Sequence, residues 1–305
     1  TGDGTLPVPA ADPLYDWHGY IPFAEMPRAF NPPSGFVVSA NNKMTSQDYP
    51  HFISRDWAPP ARAERITAMI DSAIKSQGKI RLEDVEKMQG DVKDLEAKAL
   101  SDHLLGLLPG PAAAGLAARQ LRAWDGSMAQ GQASAAVFNL WFKSLKQRML
   151  LDRFKNVADN SDQIEVLRDY VAGVTPLQIK RMLMSGDPGW CTEKGCAELV
   201  QASLNDALKE LAKWRGDESR WQWGAIHQAT FQHIPFSDVN LFDRVFGRRI
   251  PSPGSENSVD VAASHYKPMK GFEQTFGAVF RQVMSLSSAQ DGHRYMNSTG
   301  QSGNP

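Results

Sequence analysis

Residues 132–154 read QASAAVFNLWFKSLKQRMLLDRF. This is the most apolar helical stretch of the chain, and a helix that is apolar nearly all round belongs in the interior of a domain. The reading sets a helical centre. On its N-terminal side, Pro59-Pro60 precede ARAERITAMIDSAIKSQ, where Ile66, Met69, Ile70, Ala73 and Ile74 share one face and Gly78 marks the stop. LEDVEKMQGDVKDLEAKALSDHLLGLL, with Val85, Met88, Val92, Leu95 and Leu104, reads as one helix running to Pro109-Gly110. PAAAGLAARQLRAWDG reads as a short helix stopped at Asp125-Gly126. On the C-terminal side, SDQIEVLRDYVAGV, TPLQIKRMLM (Thr175 as cap, Pro176 at the first helical position) and CAELVQASLNDALKELAKWRG are helical, the last strongly amphipathic.

The flanks differ. Residues 1–58 are rich in Pro, Gly and aromatics and predict irregular structure with one or two strands, Gly35–Asn41 the best of them. After 216, WQWGAIHQATFQHIPF is aromatic and irregular. ENSVDVAAS, FGAVFRQVMSLSS and HRYMNSTG have strand-type alternation. The expected class is α+β: a loop and strand region (1–58), a mainly helical block (59–215), then aromatic loop and strands (216–305), within a single domain.

The chain has 305 residues and a formal net charge of −1. Its basic residues are scattered, so it carries no electrostatic footprint for nucleic acid. No apolar run reaches the length of a membrane span. Thr1 does not look like a natural start, and the chain is expected to be a processed or partial one. An N-terminal Thr can be a nucleophile with its own amine as base, but the Gly-Asp-Gly that follows is loop material, and Thr1 is read as a cut end.

Two cysteines occur, Cys191 and Cys196, in GWCTEKGCAELV. Their spacing excludes a CxxC redox motif, and no further zinc ligands lie nearby. Free thiols and a small disulfide-closed loop both remain. The sparing use of cysteine elsewhere favours the disulfide, which implies an oxidising compartment. His227 and His233 flank an aromatic cluster. Metal ligation is one reading, and interior packing or hydrogen bonding the commoner one. The Trp221/Trp223 pair reads as core. Asn297-Ser298-Thr299 has the form of a glycosylation sequon, a pattern frequent by chance. Walker A, GxSxG, HExxH and GxGxxG are all absent.

The stretch SGFVVSANN (34–42) ends an apolar run in two asparagines. Periodicity alone gives a strand and a polar turn. The longer run LPVPAADPLYDWHGYIPFAEMPRAFNPPSGFVVSANN is followed in order by DYP, RAERI, MQGDV, LRAWDG, WQWGAIHQATFQH, FRQVMSLS and GQSGNP. This ordered set resembles the β-chain of penicillin acylases. That family of N-terminal-nucleophile hydrolases also includes cephalosporin acylases and the acyl-homoserine-lactone acylases of quorum quenching. The resemblance spans essentially the whole chain.

The resemblance implies a four-layer α-β-β-α sandwich with helical excursions, and amide hydrolysis through an acyl-enzyme on an N-terminal serine. That serine and its backbone oxyanion donor would lie upstream, and the continuation of the GQSGNP strand downstream. The partners implied are the α-chain and the Ser-bearing part of the β-chain, the substrate a small N-acyl molecule, and the location periplasmic or secreted. Asn41 matches the family's oxyanion-hole asparagine. Arg62 matches the arginine that orients polar groups near the nucleophile. Asn42 matches a second asparagine without catalytic role. The chemistry requires no cofactor. Some members hold a structural calcium through a carbonyl near Gly4 and an aspartate after DYP. Here only Asp56 is available, and it is shifted. The WQWGAIHQATFQH and GWC…C segments look more like the acyl-homoserine-lactone branch than the penicillin G type. The alternative of another class is a helical scaffold or binding module acting alone.

Overall fold

The computed structural model describes residues 5–154, 157, 160–268, 270–286 and 292–298. Residues 5–60 wander over the surface. They make 3-10 turns at Pro13–Tyr15 and Phe23–Glu25, with Asp12 accepting from the Leu14 N–H at the first. Trp17, Tyr20, Phe23 and Phe30 are almost fully exposed. Helices then follow: α1 (Ala61–Gln77), α2 (Leu82–Gln89), α3 (Leu95–Leu107), α4 (Gly110–Ala113), α5 (Leu116–Ala123) and α6 (Ala133–Lys146). A π-helical turn, Gln147–Leu151, joins α6 to α7 (Asp152–Phe154). The block continues with α8 (Ser161–Ala172), α9 (Pro176–Met184) and α10 (Cys196–Arg215).

The core is the contact of α6 with α10. Phe138, Leu140, Trp141 and Leu145 on α6 are almost wholly buried. They pack with Leu199, Val200, Leu204, Ala207 and Leu211, which repeat along one face of α10 at helical spacing. Leu100 and Leu104 of α3 and Leu121 of α5 join the same cluster. The one polar atom of the Trp141 ring is satisfied there: Nε1 donates to Ser203 Oγ (3.0 Å) and to the Val200 carbonyl (3.1 Å). An indole can be buried at little cost only when its N–H is paired in this way.

Past α10 come α11 (Trp223–Ile226), β1 (His227–Phe231), α12 (Asn240–Phe246), β2 (Arg248–Pro251), β3 (Ala262–Lys267) and β4 (Gly271–Gly277). The four strands form one sheet in the order β2-β1-β4-β3. Its central pair, β1 and β4, is parallel, and the outer pairs are antiparallel. A separate hairpin, β5 (Phe280–Met284) with β6 (His293–Asn297), is antiparallel. The class is α+β.

Four expectations are corrected. Gly35–Asn41 forms no strand and belongs to no sheet among the described residues, and Val37 lies in solvent. Strand-type side chains do not make a strand without a partner to complete the ladder. Residues 82–108 are two helices. The Gly90 N–H closes α2, and the Asp94 side chain caps α3 by accepting from the Ala97 N–H (2.8 Å). Between them Met128 N–H donates to the Val92 carbonyl (2.9 Å), which a continuous helix would have used internally. Finally, WQWGAIHQATFQH holds the sheet strand β1, and ENSVDVAAS is mostly loop, with β3 starting only at Ala262. Trp221 and Trp223 are buried, as expected of core residues.

Candidate active site

The tip of SGFVVSANN is built by local rules. The Gly35 N–H donates to the Pro32 carbonyl (2.9 Å), closing a turn in which Gly35 takes φ +75. Residues 36–39 then run without regular secondary structure to Ala40, which is buried. Asn41 turns the chain sharply, with φ +62. Asn is among the few L-residues that accept this left-handed conformation. Asn42 folds the tip back: its Oδ1 accepts from the Ala40 N–H (3.1 Å) and its Nδ2 donates to the Lys43 carbonyl (3.3 Å). The Ala58 N–H donates to the Asn41 carbonyl (2.9 Å). That bond brings the entry to α1 beside the tip, because Pro59-Pro60 lead directly into Ala61.

Arg62, in the first turn of α1, reaches back across this junction. Its Nη2 donates to the Ala40 carbonyl and to Asn41 Oδ1, each at 2.9 Å. A guanidinium has donors only, so it can meet only the oxygen end of the Asn41 amide. The NH2 end is therefore turned away from Arg62, and Asn41 is exposed. Burial pulls the Arg62 pKa down, and the carboxylate of Glu256 acts in the other direction. A cation in the first turn of a helix also opposes the helix dipole. Arg62 thus sits against two local preferences, and what it gains is the fixed orientation of one amide.

Glu256 belongs to a loop whose importance is not visible in the sequence. The Gly254 N–H donates to Met128 O and the Trp223 indole donates to Gly254 O, both at 2.9 Å. The Ser255 hydroxyl donates to buried Asp94 Oδ2 (2.7 Å). Gly254 has φ +82, and a Cβ there would stand 2.4 Å from the Asp260 carbonyl, so only glycine fits. Desolvation raises the Asp94 pKa, opposed by its bonds from Ala97 and Ser255. The signal was a Gly-Ser-Glu-Asn-Ser turn, which by pattern alone is punctuation.

The other sequence candidates fall elsewhere. His227 is buried in the sheet, stacked on Trp223 at 4.3 Å, with Nδ1 2.8 Å from the Ser252 carbonyl and Nε2 3.2 Å from that of Ala262. Its pKa is lowered by burial. His233 stacks on Phe236 at 4.9 Å. Asp56 is exposed, with its N–H on Ser54 Oγ (2.9 Å). Among the described residues no three His, Cys, Asp or Glu side chains gather where a metal ion could sit. Gly4, Thr1, Thr299 of the sequon and GQSGNP lie outside the described residues. Cys191 and Cys196 are joined in a disulfide at the start of α10. No helix among the described residues is long and apolar enough to cross a membrane.

The penicillin amidase family model matches residues 1–305. The chain belongs to the penicillin amidase family. It is 28% identical over 312 residues to penicillin acylase 2 proenzyme of Pseudomonas sp. (strain SE83), covering 99% of this chain and 38% of that protein. It is 29% identical over 329 residues to the acyl-homoserine lactone acylase QuiP of Pseudomonas fluorescens Pf-5, covering 100% of this chain and 38% of that protein. Penicillin G acylase of Escherichia coli is 23% identical over 90% of the chain. The chain thus spans well under half the length of the curated relatives it matches.

Proposed function

We propose that this chain is the part of a bacterial N-acyl amidohydrolase that supplies one donor of the oxyanion hole, the Asn41 side-chain NH2. The observation that carries the reading is the Arg62–Asn41 bond, which commits the amide oxygen and leaves the NH2 as donor. An amide donates without titrating, which suits a group that must stabilise negative charge over a wide pH range.

In the proposed reaction an N-terminal serine on another chain of the same precursor attacks the acyl carbonyl, its own α-amine accepting the hydroxyl proton. The oxyanion is held by a backbone N–H of that chain and by Asn41. The amine leaves, and water releases the acid from the acyl-enzyme. No step uses a metal ion. The relatives named for penicillin and for acyl-homoserine lactones support N-acyl substrates, either acyl-homoserine lactones or β-lactams such as penicillin G. The exposed aromatics of residues 17–30 support partner chains that cover them, since apolar patches of this kind mark interaction surfaces. The four-layer sandwich would be completed with those chains. The disulfide supports a periplasmic location.

The test is Asn41→Ala in the full-length enzyme. Loss of one oxyanion donor typically costs about 10²–10³ in rate. Turnover should fall by that order with folding and processing unchanged. Near-normal turnover would sink the assignment and leave a non-catalytic module as the reading.

A further inference from the structure

Three of the ordered motifs carry charged residues with no task in the reaction above: Arg65 in RAERI, Asp91 in MQGDV and Arg281 in FRQVMSLS. They meet in space. Arg65 grips Asp91 with a two-pronged fork, Nε to Oδ1 at 3.0 Å and Nη2 to Oδ2 at 2.6 Å. The two side chains are only 25% and 14% exposed, so this pair is shielded from the screening that weakens surface ion pairs. Asp91 sits in the break between α2 and α3, where its Oδ1 also accepts from the Lys93 N–H (3.2 Å). Its carbonyl accepts the Asp260 N–H (2.9 Å). The Asp260 carboxylate pairs with Arg281 of β5, whose Nη1 returns to the Gln89 carbonyl (3.4 Å). One polar circuit therefore ties α1, the α2–α3 break, the loop bearing Glu256 and the β5–β6 hairpin.

What that circuit controls follows from α1. Arg65 lies three positions after Arg62, on the same face of the helix. The buried residues of α1 are Ala61, Ala63 and Ala73; Ile66, Met69 and Ile70 are only half-buried, and no α1 side chain joins the main core cluster among the described residues. Alanine methyls and half-buried side chains outside that cluster interlock less than a core face does and leave rotation about the helix axis weakly fixed. A change of one residue in helical phase would swing Arg62 by about 100° and off the Asn41 amide. A planar fork with two parallel bonds fixes direction as well as distance.

We propose that Arg65 and Asp91 are positioning residues: their ion pair sets the rotation of α1, so that Arg62 holds the Asn41 amide with its NH2 toward the reacting carbonyl. The inference rests on Asn41 being the oxyanion donor.

The experiment is a double-mutant cycle in the full-length processed enzyme, with Asp91→Asn, Asn41→Ala and the pair, read as kcat and KM on a long-chain acyl-homoserine lactone and on penicillin G. Asp91→Asn keeps the shape of the side chain and removes its charge. It should lower kcat about tenfold or more, the order seen when a catalytic group is slightly misplaced, with KM within about threefold. In the Asn41→Ala background the same change should alter kcat by less than about twofold, because the donor it positions is gone. Arg65→Lys, which keeps the charge and loses the fork, should behave as Asp91→Asn does. It takes the place of Asp91→Asn in the cycle if that variant does not accumulate as folded enzyme. An equal loss of kcat in both backgrounds, or no loss in either, overturns the positioning role while leaving Asn41 in place. Wild-type turnover of Asn41→Ala removes the oxyanion reading and this inference with it.

Discussion

Replacing Arg62 by alanine asks how much of the catalytic role proposed for Asn41 depends on being held. Arg62 makes two bonds at 2.9 Å, one to the Asn41 amide oxygen and one to the Ala40 carbonyl. Asn41 is exposed, so water replaces the guanidinium at the amide oxygen and no buried polar atom is orphaned there. The cost is therefore chiefly orientational. A freed asparagine samples about three χ1 wells and two amide orientations, or about six states, of which one points the NH2 correctly. Restoring that state from six costs RT ln 6, about 1 kcal/mol, which is about sixfold in kcat. Loss of the Ala40 bond adds backbone freedom at the left-handed Asn41, pushing the effect toward the ceiling of a missing donor, about 10²–10³. We expect Arg62→Ala to lower kcat between about sixfold and about 10²-fold, with KM within about threefold. The assay is initial-rate release of the free amine from an acyl-homoserine lactone, with processing checked by intact mass. A wild-type kcat would refute the reasoning. So would a loss of the same size in an Asn41→Ala background, since the arginine would then act through something other than the amide.

Other expectations concern stability. Glu96 is buried, with one oxygen unpartnered, and desolvation lifts its pKa to about 7. A carboxyl whose folded pKa is raised binds its proton more tightly folded than unfolded, so stability falls as pH rises from about 4.5 to about 7. Glu96→Gln should flatten the Tm-against-pH curve over that window, and an unchanged slope would show that Glu96 is not its source. The disulfide closes a short loop with a sequence separation of 5, for which the loop-entropy estimate is about 2 kcal/mol. Cys191→Ser with Cys196→Ser should lower the denaturation midpoint accordingly with turnover at saturating substrate retained, checked by urea unfolding and rate assays. Gly254→Ala places a methyl against the Asp260 carbonyl at a left-handed position and should destabilise by more than about 2 kcal/mol. A midpoint within error of wild type would mean the loop relaxes freely.

The helical block was legible because its signals are local. Period, proline at helix starts and glycine at stops act within a turn or two, as at Pro176 and Gly78. The central strand β1 was not, because the face it buries carries His227 and Ala229, and neither registers as hydrophobic alternation. The break after α2 escaped because Asp91 and Asp94 look like helix-surface acids until their partners, Arg65, Ser255 and Asp260, arrive from elsewhere in the chain.

By itself the sequence determined the α+β class, the buried helix at 133–146, the family through the order of its motifs, and the turn that offers Asn41. Which end of the Asn41 amide faces outward was a tertiary decision. It depends on Arg62, 21 positions away, whose donors accept only the oxygen end. The pairing of Cys191 with Cys196, left open by spacing, was likewise decided in space. Hydrogen bonds and ion pairs between distant segments leave no period in a sequence, because each depends on where the rest of the chain brings its partner.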